Sequence, residues 1–95
     1  MPVKETYLER VVAEVEKLAV KVADLKTRLA QENGGMKLRY YWELDYLRSR
    51  FAEFKQRVEE LEEADDKGAQ GLYQSVEMVR RDLEHTIEGL LGELS

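Results

Sequence analysis

The sequence predicts an all-α fold: an antiparallel helical hairpin of coiled-coil type, joined to a third helix in a three-helix-bundle-like arrangement. Three observations predict it. Composition comes first: 37% of the 95 residues are charged, with six glycines and one proline, and the wealth of Glu, Lys, Arg, Leu, Val and Ala is that of long helices. Second, two stretches of apolar residues keep an unbroken heptad spacing. Third, those two stretches are mirror images about a single diglycine, as two helices folded back on each other require.

Helix 1, about residues 4–32, carries the seam Leu8, Val11, Val15, Leu18, Val22, Leu25 and Leu29, spaced 3, 4, 3, 4, 3, 4. Helix 2, about 36–65, carries Tyr40, Leu44, Leu47, Phe51, Phe54, Val58 and Leu61, spaced 4, 3, 4, 3, 4, 3. Between them Gln31-Glu32-Asn33-Gly34-Gly35 is the strongest turn signal in the chain, centred on 33–35, because Asn and Gly tolerate positive φ and close helix C-termini. Paired outward from that turn, Leu29 meets Tyr40, Leu25 meets Leu44 and so on to Leu8 with Leu61, and every pair of numbers totals 69. Each pair therefore lies at one level, and the two seams bury each other.

Helix 3, about 69–93, carries Leu72, Val76, Val79, Leu83, Ile87, Leu90 and Leu94. From Leu83 onward its spacing stretches to 4, 3, 4, an eleven-residue repeat that straightens the supercoil. Gly89 and Gly92 weaken this last part by roughly 1 kcal/mol each relative to Ala, so its end is expected to fray. The joint before it, placed at 66–68, follows EELEEADD (Glu59–Asp66). Acids oppose the macrodipole at a helix C-terminus and favour it at an N-terminus. Asp65 or Asp66 can therefore cap helix 3, with Gly68 and Gly71 easing the bend. The alternative is one continuous helix through the joint, which forces a dimer because half its seam then has no partner within the chain.

The motifs Tyr40-x3-Leu44-x2-Leu47-Arg48, Val58-Glu59-Glu60-Leu61, Ala64, Leu72, Val76-Glu77 and Leu83 resemble a family of small, mostly uncharacterised bacterial coiled-coil proteins, some associated with stress responses. The likeness runs without gaps through most of residues 40–95 and more loosely over the first helix. Members have tryptophans in the third segment where this chain has Ala69 and Arg80, and are often alanine-rich where it has Asn-Gly-Gly. The resemblance implies a helical fold and brings no catalytic residues.

Composition narrows the function classes. The net charge of −5 and pI of about 5.0, without a clustered basic face, argue against a nucleic-acid binder, whose affinity comes largely from phosphate neutralisation. Cysteine is absent, which excludes disulfides and thiolate chemistry. No run approaches the roughly 18 apolar residues of a membrane span, and the start has no leader-like apolar core. A soluble, cytoplasmic chain is expected.

The aromatic residues raise the sharper question, since six of the eight fall between Tyr40 and Phe54. At about 100° per residue, Leu44, Leu47, Phe51 and Phe54 lie within about 40° of Tyr40 and belong to the core. Leu38, Trp42 and Tyr46 lie about 160°, 200° and 240° away, on a face the seam does not use. With Arg39 and Arg50 beside them they form a candidate interface, for which Trp, Tyr and Arg are enriched. Two rings on a convex helix form no pocket for a small molecule. Helix 2 is also basic first (+4 and −2 over 37–50) and acidic last (+2 and −7 over 51–66). Two such helices from different chains, packed antiparallel, match opposite signs, so a homodimer or other homo-oligomer is expected.

Asp82, His85 and Glu88 share one side of helix 3, but metal bundles of the di-iron kind need two carboxylate-x-x-His motifs facing inward; no metal or other cofactor is expected. No Ser-His-Asp pattern or phosphate loop is visible, so the expected role is that of a non-catalytic coiled-coil structural or protein-interaction module. The alternative is a stress-related amphipathic protein that opens onto lipid or unfolded protein. Mixed or acidic polar faces argue against the membrane surface.

Overall fold

A computed structural model describes residues 3–31 and 37–94. They form three helices, α1 (Val3–Ala30), α2 (Leu38–Glu63) and α3 (Asp66–Leu94), packed as a rod of 52 × 20 × 16 Å. The expected turn at 33–35, with the end of helix 1 at 32 and the start of helix 2 at 36, lies outside the described residues. Within them the last turn of α1 closes with the Gln31 N–H donating to Arg28 O at 3.2 Å. Helix α2 opens at Leu38, because Lys37 is extended (φ −67°, ψ 146°) while its carbonyl accepts the first intrahelical bond, from Tyr40 N–H at 3.0 Å.

Long-range bonds give the directions. The Lys4 ammonium at the start of α1 donates to the carbonyls of Glu62 (3.2 Å) and Ala64 (2.8 Å) at the end of α2, so these two helices are antiparallel. Arg50 Nε meets Asp82 at 2.7 Å, and Arg39 meets Glu93, so α2 and α3 are also antiparallel. Tyr7 bonds Glu77 at 2.6 Å and Glu14 lies near Arg80, which makes α1 and α3 parallel neighbours. The topology is an up-down-up three-helix bundle.

Its core is the expected set of seams. All seven α1 members are buried, as are Tyr40, Leu47, Phe54, Val58 and Leu61 of α2 and Val76, Val79, Leu83, Ile87 and Leu90 of α3, with Ala69 added. No polar or charged side chain among the described residues is buried, so the core is held by apolar burial alone, at about 25 cal/mol per Å² removed from water. Leu44, Phe51, Leu72 and Leu94 pack against it half-buried. Leu44 and Phe51 are the α2 members rotated furthest toward α1.

The joint between α2 and α3 differs from the one expected at 66–68. It is Ala64–Asp65, and α3 begins at Asp66 rather than 69. Ala64 is extended (φ −75°, ψ 146°) after its N–H has bonded Glu60 O and Leu61 O. The Asp65 carboxylate then accepts the Gly68 N–H at 2.8 Å while its carbonyl accepts Ala69 N–H at 2.9 Å. That is the N-cap expected of Asp65 or Asp66, and it draws Gly68, expected in the joint, into the helix. Lys4 explains how the acidic end of α2 is tolerated: a cation supplied by α1 sits on the very carbonyls that the local carboxylates cannot satisfy. At the other end α3 stays helical to Leu94 through Gly89 and Gly92, and the stretched spacing still delivers Ile87 and Leu90 to the core.

Four substitutions separate these contributions. Asp65→Ala removes the cap and should cost about 1 kcal/mol in urea unfolding. A Cβ at Gly71 or Gly89 meets nothing within 4 Å, so Gly71→Ala and Gly89→Ala should each stabilise by about 0.5–1 kcal/mol through helix propensity. Leu83→Ala in the sealed core should cost about 2–5 kcal/mol.

Candidate interaction surface

Helix α2 lies between two neighbours that cover different arcs of it. On one side Ala19, Val22 and Ala23 of α1 lie beside Leu44 and Phe51; on the other, Glu93 and Asp82 of α3 meet Arg39, Tyr46 and Arg50. The covered arc is therefore wider than a single seam, and it reaches part of the face that carries the five candidate interface residues. Tyr46 donates its phenol proton to Asp82 at 2.5 Å, and Arg50 donates to the same carboxylate at 2.7 Å while also pairing with Glu53. Arg39 pairs with Glu93 and lies over the Tyr40 ring, 5.4 Å from its centroid. These three side chains bind α2 to α3. Leu38 and Trp42 are different: each is 68% exposed.

Sequence reasoning passed over Tyr41, which is 57% exposed. Its signal was available, since Tyr41, Leu44 and Arg48 succeed one another at helical spacing along the margin next to α1. Of the six exposed large apolar side chains among the described residues, Leu38, Tyr41, Trp42 and Tyr46 fall within one nine-residue stretch; Val20 and Met78 stand apart. A cluster of this kind on a small protein marks a contact surface more often than scattered residues do.

The polar cluster between α1 and α3 was also passed over. Tyr7 stacks edge-on to Tyr73 (5.0 Å, 78°) and donates to Glu77. Arg80 bridges Glu77 (3.1 Å) and Glu84 (2.7 Å) and approaches Glu14 at 3.8 Å. Burial works to raise the Glu77 pKa, but the hydrogen bonds from Arg80 and Tyr7 prevail and hold it below the usual carboxylate value. Asp82 is held low chiefly by the Tyr46 hydrogen bond, with Arg50 adding to it. Burial, then the bond to Glu77, pushes the Tyr7 phenol well above its ordinary value.

Asp82 is thus engaged by Tyr46 and Arg50, while His85 is exposed. Among the described residues no group of three or more His, Asp or Glu side chains is placed to hold a metal ion. No described helix is long and apolar enough to cross a membrane.

The pH dependence follows from these shifts. Glu77 and Asp82 have folded pKa values below their unfolded ones, so their contribution is complete above the unfolded carboxylate range of about 4 and is lost as pH falls below it. Tyr7 is raised, so its contribution is complete below the unfolded phenol value of about 10 and is lost as pH climbs past it. Urea midpoints should therefore be level between about pH 5 and 9 and fall on both sides. Asp82→Asn should blunt the acid limb and, by freeing the Tyr46 phenol that Asp82 holds above its ordinary value, soften the alkaline one. No family model, curated protein or solved structure matches the chain.

Proposed function

We propose that this chain is a non-catalytic helical interaction module of the cytoplasm that associates with further copies of itself through the first half of α2. The observation that carries the reading is the gathering of Leu38, Tyr41 and Trp42, each more than half exposed, on one short stretch of a rod whose other apolar residues are mostly buried. Aromatic side chains with arginine close by are the usual centres of binding energy in protein interfaces. The lengthwise charge asymmetry of α2 supports a like partner, since a second α2 laid antiparallel meets it with opposite signs. The heptad motifs that resemble a family of small bacterial coiled-coil proteins point to the same class of role.

Sedimentation velocity across a concentration series tests this. The wild type should reach twice the 11.1 kDa chain mass. Tyr41→Ala/Trp42→Ala, with unchanged helical circular dichroism, should weaken association by at least tenfold, about 1.4 kcal/mol. A wild type that stays monomeric at millimolar concentration defeats the reading.

A further inference from the structure

We infer that the second copy docks across the open side of the α1–α2 pair, antiparallel to the first, so that Ala19 of each copy meets Ala19 of the other near a twofold axis. The inference rests on the self-association just proposed and adds the surface and register.

Between α1 and α2, on the side away from α3, runs a groove whose floor is Ala19, Ala23, Leu44 and Phe51 and whose rim carries Lys26 and Arg48. No residue of α3 lines it. Leu44 and Phe51 are seam members by spacing, yet they remain half-buried, because beyond Val22 the α1 margin beside them is built of the small side chains Ala19 and Ala23 and the rim residue Lys26. Side chains from another molecule can complete their burial. Tyr41 continues the same groove toward the turn end, which ties it to the exposed stretch of α2.

Charge selects the occupant and its direction. Toward the turn end, this side of the bundle carries Lys26 and Arg48, with Asp45 the acid among them, and Lys37 lies exposed at the start of α2. At the opposite end it carries Glu5, Glu9 and Glu62, while Lys4 there is turned in to the α2 carbonyls. The face is thus basic at one end, apolar in the middle and acidic at the other. A twofold dimer must use this same face on both copies. Docking with the ends aligned stacks like on like; docking with the ends reversed puts each basic end on an acidic one.

Area agrees. A stable interface needs about 800 Å² from each partner, and a rod 52 Å long and 20 Å wide supplies that by lengthwise overlap. The Leu38–Tyr46 edge alone covers only about 12 Å of helix.

The register follows from pairing opposite charges. Lys37 opposite Glu63 and Asp45 opposite Lys55 both give α2 numbers that total 100. The seam pairs of α1 and α2 total 69, so α1 numbers across the interface total 38. The residue that then faces its own copy is Ala19, exposed and small enough to allow a close crossing.

Because the chain contains no cysteine, single-cysteine variants report the geometry without background. Sedimentation of the wild type is read first: a monomer overturns the self-association reading and this inference with it. If a dimer forms, Ala19→Cys should give most of the protein as a disulfide-linked dimer under mild oxidation, since the Cα atoms of a disulfide must come within about 7 Å. Trp42→Cys should give less than a tenth as much. A dimer that cross-links through Trp42→Cys, or through neither position, overturns this geometry and leaves self-association standing. As a second measurement, Lys37→Glu and Glu63→Lys should each weaken the dimer severalfold, and the two together should restore it. Losses that add instead of cancelling overturn the register.

Discussion

The architecture depends on the reversal at Ala64–Asp65. Helices α2 and α3 could be read from their spacing as one long amphipathic helix, and in that form the seam of α3 has nothing within the chain to cover it. The Asp65 carboxylate and carbonyl accept the first free N–H groups of α3, and Ala64 takes an extended conformation that no helix continues through. Two residues thereby turn the last third of the chain back along α2. Everything that α3 contributes, from its buried Val76, Leu83 and Ile87 to its ion pairs with Arg39 and Arg50, follows from that change of direction.

An apolar core with no buried polar side chain among the described residues sets the level of the helices by the fit of its seams. The margins add polar contacts that hold α3 in register. On one margin Tyr7, Glu77 and Arg80 set α1 against α3; on the other, Tyr46, Arg50 and Asp82 set α2 against α3. Both clusters place a carboxylate of α3 between a phenol and an arginine, and each accepts two donors of fixed geometry. Isolated ion pairs at such exposure contribute about 0–1 kcal/mol, so the clusters serve alignment more than stability. One oxygen is left over: Glu43 Oε2 is buried without a hydrogen-bond partner, while its other oxygen stands 3.6 Å from Arg39.

The seams were legible because periodicity encodes burial directly: seven positions of α1 were named from spacing and seven are buried. The level of α1 against α2 was legible too, and Lys4 on the end of α2 agrees with it. What spacing could not show was how α3 approaches. A helical wheel places Tyr46 and Arg50 off the seam of α2 and cannot say that Asp82 of a third helix reaches them there. Of the five candidates Leu38 and Trp42 are the most exposed apolar ones, while Arg39, Tyr46 and Arg50 also hold carboxylates of α3. The Asp65 cap is legible in the acidic run, but the start of α3 is not: the cap makes Gly68 part of the helix, whereas composition marks that glycine as a bend. Tyr41 was overlooked because it neighbours the seam residue Tyr40, and adjacency in sequence hides a separation of about 100° around the axis.

An odd number of helices has a mechanical consequence. Because α1 and α3 run parallel, residue 3 and residue 94 lie at opposite poles of the rod. Tension applied between those two points pulls α1 one way and α3 the other along their shared interface. The load falls on the whole length of the packed seams and on the crosswise Tyr7–Glu77 and Glu14–Arg80 contacts at once. An even-numbered bundle gripped at its two neighbouring ends would instead peel open one turn at a time. The same three seams that bury the core thus make the rod stiff to stretching along its axis.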